Sequence, residues 1–225
     1  MKQSKSHFSM DQPVRPRRNR KSASIRSLVE ETRLSPHDFV QPLFVQEGAV
    51  SEPIASMPGC VRWAETEIVA EALRVRSAGV PAVVNFPKIA DTLKDAQARA
   101  CDDDTGLVPR VVRAIKAACP ELTVITDVAL DPYSSEGHDG LVRHDASGRL
   151  TILNDETVEV LCRQALCHAR AGADVVAPSD MMDGRVAALR TVLDEEGFSQ
   201  VSILSYSAKY ASCLLYTSPS PRDRG

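Results

Sequence analysis

The sequence predicts an α/β fold with parallel strands, on three observations. Strand-like and helix-like segments alternate along its 225 residues, the strand-like ones are near-continuous Val/Ile/Leu runs, and polar groups gather at their carboxyl ends. Strands covered on both faces by helices give such runs, whereas a half-exposed strand alternates apolar and polar residues.

Residues 1–24 are polar and basic, with RPRRNRK at 15–21, and read as an extended arm. IRSLVEETRL (25–34) has the spacing of a short amphipathic helix that Ser35-Pro36 ends. FVQPLFV (39–45) reads as a strand, followed by a loop with Pro53, Pro58 and Gly59. ETEIVAEALRVRSAG (65–79) has helical spacing and Gly79 as its stop. PAVVNF (81–86) is a second strand and VPRVVRAIKAACP (108–120) a helix closed by proline. LTVITDVALD (122–131) is a third strand, and LVRHDASGRLTIL a hairpin turning at Ala146-Ser147-Gly148. DETVEVLCRQALCHARAG (155–172) is a long helix with Asp155 as N-cap and Gly172 as stop. ADVVAPSD (173–180), GRVAALRTVLDEEG (184–197) and VSILSYSAK (201–209) complete the pattern as strand, helix and strand.

Two architectures fit this order, an open doubly wound sheet and a (β/α)8 barrel. No glycine-rich phosphate turn follows any strand, so the dinucleotide fingerprint is missing. Asp127 and Asp131 end the third strand, Ser179 and Asp180 the fourth, and Lys209 the fifth. A barrel builds its active site from the carboxyl ends of its strands. Only about five of the eight βα units such a barrel needs can be read here.

Composition narrows the function classes. A 43% hydrophobic chain of this length can bury a substantial core, and its net charge of −3 argues against a dedicated nucleic-acid binder. The longest apolar stretches are strand-length, so no transmembrane helix is expected, and MKQSKSHFSMDQ lacks the apolar centre of a signal peptide. Six cysteines without CxxC spacing then predict reduced thiols and a cytoplasmic location.

Six blocks carry a resemblance: SLVEETRLSPHDFVQPLFVQEG, IASMPGCVRW, ITDVALDPYSSEGHDG, DETVEVL, DVVAPSDMMDGRV and SYSAKYAS. In this order, from about Arg15 to Ser212, they resemble the porphobilinogen synthase (5-aminolevulinate dehydratase) family. That resemblance implies a TIM (β/α)8 barrel with an N-terminal arm, residues 1–38, that contacts neighbouring subunits in an octamer. Residues 39–212 would then be a partial barrel. It also implies condensation of two 5-aminolevulinate molecules to porphobilinogen, in haem biosynthesis, through lysine Schiff bases. CLLYTSPSPRDRG (213–225) leaves the family pattern and resembles the translation of a sequencing-library adaptor, so it is expected to be a non-native tail.

The residues support this chemistry to different degrees. Taken alone, a strand-end lysine is more often a solvated surface group. After the small and apolar residues ILSYSA, a partly desolvated Lys209 would have a lowered pKa and could attack a ketone as the neutral amine. The family places a second Schiff-base lysine in a later block that this sequence does not contain, so the fragment is expected to be inactive by itself. Many family members carry three zinc-binding cysteines where this chain has Ala129, Asp131 and Asp139. Alanine cannot ligate, and carboxylates suit Mg2+ or K+ better than Zn2+, so the resemblance implies the zinc-independent, magnesium-stimulated type. Asp127, Asp131, Asp139 and Ser179 are the expected substrate contacts, with Asp131 and Asp139 as neighbours of the ion.

Simpler readings stand beside the rest. Asp183 could cap the following helix, His138 and His144 could be solvated loop residues, Met181-Met182 packing, and Asp102–Asp104 a solvated loop or helix-start charge. A class I aldolase-type barrel lyase and a non-catalytic truncated product are the alternative functions.

Overall fold

The computed structural model describes residues 14–144 and 146–208, which fall into two compact units divided between Ser35 and Pro36. In the first, a 3-10 turn (Pro16–Arg20) precedes helix α1 (Ala23–Leu28). Ser22 caps α1 by accepting the Ile25 N–H at 3.2 Å. The helix is shorter than the expected 25–34. Neither it nor the 3-10 turn has a buried residue, and so short a helix without a packed face has little to sustain it.

The second unit is built on one sheet. Its strands are β1 (Val40–Gln46), β2 (Glu52–Pro53), β3 (Val61–Ala64), β4 (Ala82–Lys88), β5 (Thr123–Val128), β8 (Val175–Pro178) and β9 (Ser202–Ile203). They lie in the order β2-β3-β1-β4-β5-β8-β9, and every pairing except β2 with β3 is parallel. The five strands read from the sequence are β1, β4, β5, β8 and β9, adjacent in chain order. Beyond Ile203, Leu204 N–H bonds the Val176 carbonyl and Tyr206 N–H the Pro178 carbonyl, so the last pairing continues past the short strand. The sheet does not close among the described residues, and the fold is a partial α/β barrel. Strand β3 lies where a loop was expected. Its four residues are mostly half-buried and follow Pro58-Gly59, too short and too interrupted to show a strand period.

Helices α2 (Ile68–Ser77), α3 (Leu107–Ala118), α4 (Asn154–Ala171) and α5 (Arg185–Glu195) cover the outer face. Leu43, Val45, Val83 and Val124 pack there against Ile68, Val75, Val111 and Ile115. Val128 and Val176 pack against Leu161, Ala165, Leu189 and Leu193. Hairpin β6 (Val142–His144) with β7 (Leu150–Ile152) stands between β5 and α4 in the chain, and Gly148 turns at φ +80° near its tip.

Two capping expectations are corrected. Asp155 lies in the first turn of α4, whose N-cap position is Leu153, because the Asn154 amide is drawn into contact with Asp183. Asp183 does not cap α5 either: Gly184 holds that position with φ 78°. The Asp102–Asp104 run is also more than a solvated loop. Asp102 pairs with Arg163 at 2.8 Å and Asp104 with Arg170 at 3.0 Å, joining this segment to α4.

One polar clamp on the outer layer gives a stability test. Asp174 accepts the Val124 N–H at 2.8 Å and Lys116 Nζ at 2.9 Å, while Lys116 also donates to the Pro120 and Leu122 carbonyls. Asp174→Ala should cost about 1–2 kcal/mol, most of it from the stranded Val124 amide, since the ion pair is partly exposed. Urea unfolding of the variant checks this, and an unchanged midpoint would contradict it.

Candidate active site

The inner face of the sheet carries Ala82, Val84, Ile125 and Ala177, packed with Phe86, Val175 and Tyr206. They are one cluster because paired residues of adjacent strands share a face: Val84 pairs with Ile125, and Ile125 with Val175. Asp127 is two residues beyond Ile125 and pairs with Ala177, so strand alternation brings its carboxylate to this face at the carboxyl end of β5. Ser179, half-buried, follows Ala177 at the same spacing. A cavity of about 390 Å³ opens on this face, lined in part by Val40, Val84, Ile125, Leu204 and Tyr206.

The expected site residues are thus distributed. Asp127 and Ser179 share the inner face. Asp131 is exposed in the turn after β5, where Tyr133 and Ser134 N–H groups bond the Leu130 carbonyl. Asp139 is buried and lines a second cavity of about 370 Å³ with His138, Ile152, Asn154, Met181 and Met182. Ala129 is buried, and its carbonyl accepts Gln164 Nε2 at 3.1 Å. Lys209 lies outside the described residues, as does the 213–225 tail. His138 and His144 are engaged separately: His138 Nδ1 accepts the Gly140 N–H at 2.9 Å, and His144 lies 3.6 Å from Glu136.

Sequence reasoning missed Tyr206. Burial, and then the nearby Asp127 charge, raise its phenol pKa above the ordinary value, so it stays a neutral hydrogen-bonding group beside that carboxylate. Its signal lay in ILSYSA, where Tyr206 stands two residues after Leu204 and so shares its strand face.

The arrangement gathers carboxylate, hydroxyl and phenol groups at the strand ends over an apolar floor. Such a site can orient a small polar substrate against a low-dielectric surface. The family model for delta-aminolevulinic acid dehydratase matches residues 13–218. The chain belongs to this family.

Relatives agree over most of the chain. It is 56% identical over 200 residues to the chloroplastic delta-aminolevulinic acid dehydratase of Glycine max, covering 88% of this chain and 47% of the relative. The chloroplastic enzyme 1 of Arabidopsis thaliana is 54% identical over 200 residues, covering 88% and 45%. The chain therefore spans about half the length of the curated relatives it matches. Among solved structures, the Toxoplasma gondii dehydratase in complex with the reaction product porphobilinogen fits with a TM-score of 0.85 and 49% identity, over 91% of this chain and 57% of that one. The dehydratase family match runs to Ser218, six residues past the Ser212 break expected from the sequence.

Proposed function

We propose that this chain forms part of a porphobilinogen synthase barrel, which condenses two molecules of 5-aminolevulinate with loss of water. The supporting observation is the DVALDPYSSEGHDG block at the carboxyl end of β5, in a fold that matches the porphobilinogen-bound Toxoplasma relative over 91% of this chain. Membership of the dehydratase family supports this reading over the aldolase-type alternative.

In this reading Lys209, as neutral amine, attacks the substrate ketone. The carbinolamine loses its oxygen as water, and the protonated imine acidifies the neighbouring carbon for bond formation. Asp127, held beside Tyr206 in an apolar surround, accepts hydrogen bonds from the substrate ammonium group. Ser179 on the same face provides a hydroxyl, while Asp131 and Asp139 serve the outer side of the site.

Among the described residues no three His, Cys, Asp or Glu side chains come together as a metal centre. Asp131 and Asp139 are hard oxygen donors that suit Mg2+ or K+ rather than Zn2+, but two carboxylates do not make a complete site. No step is therefore assigned to an ion. We also propose homo-oligomer formation through the N-terminal unit, whose Leu28 and Leu34 are more than 70% exposed and would gain from burial. No described helix is long and apolar enough to cross a membrane, and the relatives named chloroplastic make a plastid as fitting a location as the cytoplasm.

The test is porphobilinogen formation from 5-aminolevulinate. Protein expressed from the genomic reading frame, sequenced through and beyond the Ser212 codon, should form it, and the isolated 225-residue chain should not. Failure of the genomic product would favour the non-catalytic reading. Turnover by the 225-residue chain would overturn the expectation that its open sheet needs further strands.

A further inference from the structure

A side chain at Gly140 would crowd its neighbours. A Cβ there would stand 2.9 Å from Met182 Cε, 3.1 Å from Ile152 Cγ2 and 3.3 Å from Met182 Sδ. Gly140 is not among the positive-φ glycines, so the constraint is one of packing: the flexible end of Met182 would have to shift to admit a side chain. Met182 is 4% exposed where its neighbour Met181 is 66% exposed. Two methionines side by side thus have opposite environments.

Met182 is seated by its backbone. The fully buried Asp180 accepts the Met182 N–H on Oδ1 at 2.7 Å and holds Arg185 Nε 3.3 Å from Oδ2. Arg185 Nη1 donates to the Met182 carbonyl at 2.9 Å. The next peptide is clamped from α4, since Asn154 Oδ1 accepts the Asp183 N–H at 2.8 Å and Asn154 Nδ2 donates to the Asp183 carbonyl at 3.3 Å. Both peptide groups flanking this turn are therefore fixed, and the thioether is pressed onto Gly140. Gly140 directly follows the buried Asp139, and His138 Nδ1 accepts its N–H.

We propose that Met182 is a positioning residue for Asp139: the Asp180–Arg185 latch and the Asn154 amide seat its thioether on Gly140. That contact sets the wall of the 370 Å³ cavity lined by His138 and Asp139. The inference rests on the reading of Asp139 as a substrate contact. It would couple the two short motifs GHDG and SDMMDGR, about forty residues apart in the chain.

The test uses protein expressed from the genomic reading frame, with Gly140→Ala, Met182→Ala and the double variant. Gly140→Ala should raise KM for 5-aminolevulinate about tenfold with little change in kcat, the coupling size expected of residues in contact. Met182→Ala alone removes the seat and should raise KM several-fold, whereas in the Gly140→Ala background the new methyl takes the vacated space and KM should return to within about threefold of wild type, with Ile152→Ala relieving the remaining Cγ2 contact. Thermal unfolding is recorded in parallel. A KM that never moves, while the unfolding midpoint falls and recovers, would show packing without positioning and overturn the inference. So would Met182→Ala worsening the Gly140→Ala defect. An inactive wild type would instead overturn the functional reading on which the inference rests.

Discussion

Asp127→Asn should lower kcat/KM by about 100-fold or more, the largest effect expected of any described residue. The carboxylate is 8% exposed at the end of β5, on the face that carries Ile125 and Ala177. A charge-assisted hydrogen bond to a substrate ammonium in such a surround contributes about 2–4 kcal/mol, and asparagine keeps the shape while removing the charge. The same change should bring the Tyr206 phenol down towards its ordinary pKa, though not fully, because burial is the larger cause of its shift and Asp127 the second. Steady-state kinetics and phenolate absorbance read the two effects together. Unaltered turnover, or a Tyr206 titration indifferent to the substitution, would remove Asp127 from the site.

The second large effect is a loss of stability in acid that traces to His168. This residue is fully buried on α4, and among the described residues neither ring nitrogen has a hydrogen-bond partner. Burial lowers its pKa from 6.5 to about 3. The unfolded chain takes up a proton here as pH falls through 6.5, and the folded protein does not until about pH 3. The stabilisation associated with the neutral ring is thus complete above pH 6.5 and is lost progressively as pH falls from 6.5 towards 3. At pH 5 the loss relative to pH 8 should be about 2 kcal/mol from this group alone. Urea unfolding at the two pH values should show it in the wild-type protein, and His168→Leu should flatten that part of the profile. A pH dependence identical in the variant would assign the acid sensitivity elsewhere.

Much of this architecture was legible because buried parallel strands leave long apolar runs and glycine stops leave punctuation. PAVVNF, LTVITDV and ADVVAP became β4, β5 and β8 in the expected order, and Gly172 ends α4 in the left-handed region at φ 101°. What the sequence concealed depends on contacts between distant segments. Asp155 resembled an N-cap, but the start of α4 is set by Asn154 reaching Asp183 and by Thr157 Oγ1 accepting the Leu141 N–H. Strand β3 exists because β1 offers it an edge, not because VRWA has a strand period. Asp127, Asp131 and Asp139 were all named from one block, yet local spacing could not say that one faces the sheet interior, one faces solvent and one lines a separate cavity. The polar core left by Asn85, Thr126 and His168 was unread for a similar reason: each looks ordinary until its neighbours in space are known.

Borohydride trapping of 5-aminolevulinate tests the central claim most directly, using protein expressed from the genomic reading frame and peptide mass spectrometry. The account predicts a reduced adduct on the peptide carrying Lys209, lost in Lys209→Met together with porphobilinogen formation. Porphobilinogen formation with Lys209 unlabelled, or undiminished turnover by Lys209→Met, would contradict it.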